Sequence, residues 1–493
     1  MSVLAIDAGT TGVTALLVAR DGSVLARGYQ EFQQHFPEPG RVEHQPEEIW
    51  QAALQACREA LDRAAGTDDA PTAIGITNQR ETAVLWNRRT LSSPRRAIVW
   101  QDRRSADICT RLADDGHEPR VAELTGLRLD PYFTATKLAW LAEHDKSVWR
   151  DVEAGRVALG TVDSYLIARL TAGRNHVTDA SNASRTLLFD IVRGEWSAEL
   201  CDLFGVPMDA LPQVVASYGT IARTDPDAFL GLDLPIAGIA GDQQAALFGQ
   251  ACHAPGDVKC TYGTGSFVLI NTGAEPVRSS AGLLTTVAWG APDGTLTYAL
   301  EGSIFVTGAA VQWLRDGLGI IGAAAETEPI ARTVPDSGGV VFVPALTGLG
   351  APDWDPTARG TILGITRGTT RAHLVRATLE AIAYEVRDVV DVMTSDASLG
   401  LLALKVDGGA SENNLLCTMQ ANQLGVSVER PKVSETTALG AAFLAGLGTG
   451  VWSSPQEIAA TWQLDARFTP GRRDDAAYAR WRKAVERAKG WAV

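Results

Sequence analysis

Cysteine is scarce in this chain: six among 493 residues (57, 109, 201, 252, 260 and 417), with no Cys-x-x-Cys pair. That sets aside a disulfide-dense secreted scaffold and thiol-based metal or redox motifs, and it points to a reduced, cytoplasmic setting. Long apolar runs are also missing. The least polar stretch, residues 436–452, is dominated by alanine and broken by four glycines, so it reads as a buried helix and not as a membrane span. No signal peptide is expected, because the first residues carry no basic leader and Asp7 interrupts their apolar run. Positive charge is in deficit: 44 Lys and Arg against 58 Asp and Glu give a formal charge of −14. No basic block stands out to release counterions from a phosphate backbone, which argues against nucleic-acid binding. An anionic substrate must therefore be held by local geometry against the global field. There is no Gly-Lys dipeptide, no Gly-x-Gly-x-x-Gly after a strand, no His-Glu-x-x-His and no Gly-x-Ser-x-Gly. P-loop NTPases, Rossmann dehydrogenases, zincins and serine hydrolases are set aside with them.

What remains is an ordinary folded composition, 45% hydrophobic and 21% charged, in a chain long enough for two or more cores. Residues 3–6 and 13–18 are short apolar strand candidates, and Asp21-Gly22 turns the chain into a third. After Pro46, Ile49, Trp50, Ala53, Leu54, Cys57, Ala60 and Leu61 recur at helical spacing. Residues 73–77 form the next strand, so strands alternate with helices in an α/β architecture. Residues 258–270 repeat the strand, Gly-Thr turn, strand pattern of residues 3–18, which suggests two related halves, 1–250 and 251–493. Helical patterns follow at 372–393 and 414–425.

Three local patterns carry chemistry. The turn Asp7-Ala8-Gly9-Thr10-Thr11-Gly12 can aim backbone N–H groups and hydroxyls at phosphate oxygens, with Asp7 suited to Mg²⁺; the alternative is a plain Asx turn. A second turn, Tyr262-Gly263-Thr264-Gly265-Ser266, would face it as the other half of a clamp. Asp242, between an apolar strand and a helix, can serve as a helix cap, as a general base for a hydroxyl attacking phosphorus, or as both at once. Arg80 and Glu81 are adjacent, so a strand would point them in opposite directions. Both reach one ligand only from a turn.

Residues 75–81 (Gly-Ile-Thr-Asn-Gln-Arg-Glu), 97–101 (Ala-Ile-Val-Trp-Gln), 130–133 (Asp-Pro-Tyr-Phe), 177–185 (Val-Thr-Asp-Ala-Ser-Asn-Ala-Ser-Arg) and 238–249 (Gly-Ile-Ala-Gly-Asp-Gln-Gln-Ala-Ala-Leu-Phe-Gly) resemble the glycerol kinases of the FGGY carbohydrate kinase family. Residues 132–140 and 360–380 match the two signature regions of the wider family, and the resemblance runs over nearly the whole chain. It implies a two-domain fold of the actin, hexokinase and ribonuclease-H kind, with ATP and substrate in the cleft between the domains. Matched by motif, Arg80, Glu81, Tyr132, Asp242 and Gln243 correspond to the glycerol-binding set, with Asp242 as catalytic base and Trp100 and Phe267 as aromatic walls. Thr10, Thr11, Gly12, Thr14 and Thr264 fall on the phosphate side, and Gly308, Gln312, Gly409 and Asn413 on the nucleoside side. Asp7 and Asp242 are the implied Mg²⁺ ligands.

Two departures qualify the resemblance. Thr14 stands where glycerol kinases hold an arginine, and Gly12-Val13 looks more like the xylulokinases. Residues 224–230 (Thr-Asp-Pro-Asp-Ala-Phe-Leu) occupy the place of a basic glycine-rich loop that binds fructose 1,6-bisphosphate, and they are acidic. The implied activity is ATP-dependent phosphorylation of glycerol, with no inhibition by that sugar bisphosphate. Two rivals remain: a kinase for a longer polyol or ketose such as erythritol or xylulose, and a non-catalytic polyol or nucleotide sensor. A homodimer or homotetramer is left open.

Overall fold

The computed structural model describes residues 1–66 and 69–492. Its frame is two mixed sheets, whose strands are numbered here β1 to β13 in chain order. The first holds β1 (Ser2–Ala8), β2 (Gly12–Ala19), β3 (Val24–Glu31), β4 (Pro71–Asn78), β5 (Tyr218–Arg223) and β6 (Pro235–Gly241), in the order β5-β6-β4-β1-β2-β3. The second holds β7 (Val258–Tyr262), β8 (Ser266–Gly273), β9 (Leu284–Gly290), β10 (Leu296–Ile304), β11 (Ala403–Asp407), β12 (Ser427–Pro431) and β13 (Leu464–Phe468), in the order β9-β10-β8-β7-β11-β12-β13.

The two sheets share one plan. In the first, β1, β2 and β3 run antiparallel in succession, while β4 and then β6 add in parallel on the other side of β1. In the second, β7, β8 and β10 form the antiparallel set, and β11 and β12 add in parallel beside β7. The strand-turn-strand echo in the sequence is therefore a duplicated topology. The β1–β2 turn and the β7–β8 turn occupy equivalent places in the two sheets.

Helix α1 (Pro46–Arg63) begins with Pro46, carries Glu47 and Glu48 in its first turn and buries Ile49, Trp50, Ala53, Ala56, Cys57 and Ala60. Proline and acidic residues suit a helix start, and that apolar stripe is what holds it on the sheet. Helix α2 (Thr134–His144) follows Tyr132, α3 (Asp242–Gly249) follows β6 and α4 (Thr436–Thr449) follows β12. Helix α4 comes from the second half of the chain but lies on the first sheet. An added Cβ on Gly75 of β4 would sit 2.0 Å from the Ala441 carbonyl oxygen, and one on Gly238 of β6 would sit 2.4 Å from Ala445 N. Gly440 meets α3 as closely: its Cβ would lie 1.8 Å from the Ala245 carbonyl oxygen. These approaches require glycine. Val3, Ala5, Leu16 and Val18 of the first sheet, Leu269 and Ala299 of the second, and Ala441 to Ala445 of α4 form one continuous apolar cluster. All six cysteines are buried free thiols. Among the described residues, no helix is long and apolar enough to cross a membrane.

Candidate active site

The parallel strands β1, β4 and β6 end side by side, with Ala8 opposite Asn78 and Asn78 opposite Gly241. Carboxyl ends of parallel strands are where α/β sheets present groups to a ligand. Together these strands deliver four: Asp7 on β1, Arg80 and Glu81 just past β4, and Asp242 at the start of α3. The turn needed to aim Arg80 and Glu81 together is present. Glu81 has φ of 61°, the left-handed region that residues with side chains seldom adopt. Both side chains consequently enter one buried cluster, with Arg80 Nε 3.9 Å from Glu81 Oε1.

Arg80 organises this cluster. Its Nε is 2.9 Å from Asp242 Oδ1, its Nη1 is 2.5 Å from Glu301 Oε2, and its Nη2 reaches the Tyr132 hydroxyl at 3.5 Å. The guanidinium also lies over the Phe267 ring, 5.6 Å from its centroid. Arg185 closes the cluster from the other side, donating to Glu81 at 2.7 Å and to Glu301 at 2.9 Å. Arg80, Glu81, Arg185 and Glu301 are each at most 2% exposed. Such charges stay buried only when mutually paired. Burial alone would raise Glu301, but Arg185 and Arg80 hold its carboxyl down at about 2. For Glu81, burial outweighs the same two arginines and the carboxyl moves upward.

Asp242 differs from this set, with 29% of its side chain exposed. The helix-cap alternative does not hold: Gly241 is the N-cap of α3, and among the described residues the Asp242 side chain accepts a backbone N–H only from the next residue, Gln243, at 2.7 Å. Beside it, Asp7 is pushed up to about 7 by burial and by the Asp242 charge. A divalent cation between Asp7 and Asp242 would offset the burial of Asp7 and its repulsion by the Asp242 charge. Among the described residues, no group of three or more His, Cys, Asp or Glu could hold a metal. A Mg²⁺ there would take its remaining ligands from water and phosphate oxygens, as that ion usually does. Thr14 pairs directly across from Asp7 and so shares its face of the sheet. The position that resembles an arginine site is therefore adjacent to Asp7 but uncharged.

Aromatic rings flank the carboxylates. Trp100 packs edge-on against Tyr132, ring centroids 5.7 Å apart, and its Nε1 donates to Thr10 Oγ1 at 3.0 Å. Burial keeps the Tyr132 phenol protonated. Gln243 is 6% exposed, and its Oε1 accepts from Lys259 Nζ, which also donates to Thr261 Oγ1 at 2.9 Å. Burial pulls Lys259 below its ordinary value, against the opposing effect of Asp407.

The second turn gathers a different group. The Thr264 carbonyl accepts from Thr307 N at 2.9 Å and Ala309 N at 3.0 Å, and Gly308 N donates to the Gly263 carbonyl at 3.0 Å. A Cβ on Gly308 would lie 2.7 Å from that carbonyl oxygen, so glycine lets the two segments touch. Gly408 approaches Tyr262 in the same way, which brings the Gly409–Glu412 turn alongside. Gly409 itself is exposed, with nothing within 4 Å of an added Cβ. Asn413 caps the following helix, accepting from Leu416 N at 2.9 Å and donating to Thr327 Oγ1 at 3.1 Å. Gln312 is exposed at the end of the helix Gly308–Gln312. Gly12 is buried, and its lack of a side chain is explained by Tyr29, whose hydroxyl would lie 2.7 Å from a Cβ. Thr11 and Thr264 are exposed at the tips of their turns.

Sequence reasoning did not assign Arg185, Glu301 or Lys259. A signal existed for each: Glu301 and Lys259 are lone charges in otherwise apolar strands, and Arg185 ends a matched motif.

The profile of the FGGY family of carbohydrate kinases, N-terminal domain, matches residues 2–249, and that of the C-terminal domain matches residues 258–449. Glycerol kinase 2 of Thermotoga maritima is 53% identical, covering 99% of each chain. A glycerol kinase of Symbiobacterium thermophilum is 54% identical, covering 100% of this chain and 99% of its own. Among solved structures, Plasmodium falciparum glycerol kinase with ADP superposes with a TM-score of 0.92 at 35% identity, covering 99% of this chain and 98% of its own. Two sheets of one plan, a buried charge cluster at three strand ends and full-length similarity thus lead to one statement: this chain belongs to the FGGY family of carbohydrate kinases.

Proposed function

We propose that this chain transfers the terminal phosphoryl group of ATP to glycerol, giving sn-glycerol 3-phosphate, with Asp242 as general base. The observation that carries the reading is the placement of Asp242: open on one side, fixed by Arg80 on the other, and bounded by Tyr132 and Phe267 through their contacts with Arg80. Arg80, Glu81, Tyr132 and Gln243 hold the hydroxyls, and Trp100 and Phe267 bracket the carbon chain. Asp242 takes the proton of the terminal hydroxyl as that oxygen attacks phosphorus. Thr10, Thr11 and Thr264 receive the phosphates from two sides, while Gly308, Gln312, Gly409 and Asn413 form the nucleoside face. When bound by Asp7, Asp242 and nucleotide oxygens, Mg²⁺ supplies charge neutralisation on the phosphates. Such a reaction rests on positioning and electrostatics, so no covalent enzyme intermediate is required. We assign residues 1–250 and 251–493 to the two lobes and the protein to the cytosol, where its buried thiols stay reduced.

The test is ADP release with ATP and each of glycerol, dihydroxyacetone, erythritol and xylulose. The expected result is a kcat/KM highest for glycerol. A preference for the four- or five-carbon compound moves the assignment to a longer substrate, and nucleotide binding without ADP release on any of them makes the protein a sensor.

A further inference from the structure

A chain of two amides and one imidazole, buried except at the half-buried Gln34, runs beneath the first turn, and the proposed reaction does not use it. The backbone N–H of Trp100 donates to Thr82 Oγ1 at 3.3 Å, and that hydroxyl donates to Gln79 Oε1 at 2.9 Å. Gln79 Nε2 reaches the Gly9 carbonyl at 3.0 Å and His44 Nδ1 at 3.2 Å. His44 Nε2 lies 2.6 Å from Gln34 Oε1, and Gln34 Nε2 donates to the Thr10 carbonyl at 2.8 Å. His44 and Thr82 are fully buried and Gln79 is 1% exposed.

The direction of every bond in this chain is determined. Backbone carbonyls only accept, so the Gln79 and Gln34 groups facing Gly9 and Thr10 must be the amide nitrogens. Gln79 Nε2 then has only hydrogens to offer, and His44 Nδ1 must accept. That leaves the ring proton on Nε2, donated to Gln34 Oε1. Only one neutral tautomer fits, and a doubly protonated imidazole would set two donors against each other at Gln79. Burial, with a smaller effect from His35, pushes His44 down to about 4, in keeping with a neutral ring.

The consequence falls on the turn. In a planar trans peptide the carbonyl and the next N–H point in opposite directions. Anchoring the Gly9 and Thr10 oxygens on the buried side therefore aims the Thr10 and Thr11 N–H groups to the open side. We propose that His44 is a positioning residue for phosphoryl transfer: it locks Gln79 and Gln34 under the turn and so presents two N–H groups to the nucleotide phosphates. The inference rests on the reading of this turn as a phosphate site. It adds that the site is set by a side chain more than thirty residues away that never touches the ligand.

The test compares His44→Phe, which keeps a ring but no polar atom, with His44→Gln, which restores a donor and an acceptor. ADP affinity by calorimetry and kcat, KM for ATP and KM for glycerol are read well below each variant's unfolding midpoint. His44→Phe is expected to lose about tenfold or more in ADP affinity and in kcat, the scale of misaligned hydrogen bonds to a charged ligand. KM for glycerol is expected to stay within twofold, and His44→Gln is expected to regain most of the loss. ADP affinity and kcat within twofold of wild type in folded His44→Phe overturn the proposal. If that variant does not fold, Gln34→Leu, which removes only the amide under Thr10, must show the same selective loss, and its failure to do so overturns the proposal equally. Wild type that binds ADP but leaves glycerol unphosphorylated refutes the substrate assignment and leaves the ADP readout intact; wild type that does not bind ADP refutes both.

Discussion

Replacing Glu301 by glutamine removes one negative charge from a site where two guanidiniums converge. Its carboxyl accepts from Arg80 Nη1 at 2.5 Å and Arg185 Nη2 at 2.9 Å, with no exposure to water. Despite burial, Arg185 and Arg80 bring it from the ordinary 4.5 to about 2. That difference corresponds to about 3 kcal/mol of stability, in line with the roughly 3–5 kcal/mol lost when one partner of a buried ion pair is removed. A folded-state value below the unfolded one contributes stability that is fully present above pH 4.5 and is lost as pH falls from 4.5 toward 2. Glu301→Gln should therefore unfold at clearly lower urea concentration at pH 7, and the gap to wild type should shrink below pH 4. Because Arg80 is shared with Asp242, KM for glycerol should rise in the same variant. Equal urea midpoints at pH 7, or a gap that widens in acid, would refute this account of the cluster.

Asp242→Asn should keep the fold and bind glycerol, but turn over roughly 10²-fold more slowly or worse, the usual contribution of a general base. Near-normal turnover removes Asp242 from the chemistry. Gly440→Ala should lower the thermal unfolding midpoint, because a Cβ 1.8 Å from the Ala245 carbonyl oxygen outweighs the roughly 1 kcal/mol that alanine gains over glycine in a helix; a raised midpoint contradicts the close α3–α4 crossing. Fructose 1,6-bisphosphate should leave activity unchanged, since residues 224–230 carry two aspartates, one of them already ion-paired with Arg174. Potent inhibition in the ADP-release assay would show a binding site elsewhere on the chain.

The parts of the fold legible in sequence are those whose signal is local. Two Gly-Thr turns between short apolar strands announced the duplicated sheets, and the helical spacing of apolar residues after Pro46 announced α1. The requirement that Arg80 and Glu81 share a turn followed from strand geometry alone, and Glu81 has the left-handed backbone that satisfies it. The partners of these residues were not legible. Glu301 meets Arg80 across 221 positions and Arg185 across 116, and no periodicity within a segment encodes such a pairing. The neighbourhood of His44 escaped for the same reason, since His44, the first turn and Gln79 lie far apart along the chain and meet only in the folded structure. Asp242 was ambiguous because a helix start suits both a cap and a base; Gly241 took the first role and left the second open.

Helix α4 is made late and needed early. The face formed by Gly75 and Gly238 is shaped to receive it, yet the ribosome delivers α4 some two hundred residues after β6 has emerged. Until then the first sheet carries an uncovered apolar flank, the kind of surface that recruits other chains. A fragment ending anywhere before residue 436 should consequently be an aggregating species and not an autonomous lobe, and nascent chains of this protein should depend on protection until the final tenth of the sequence is being made.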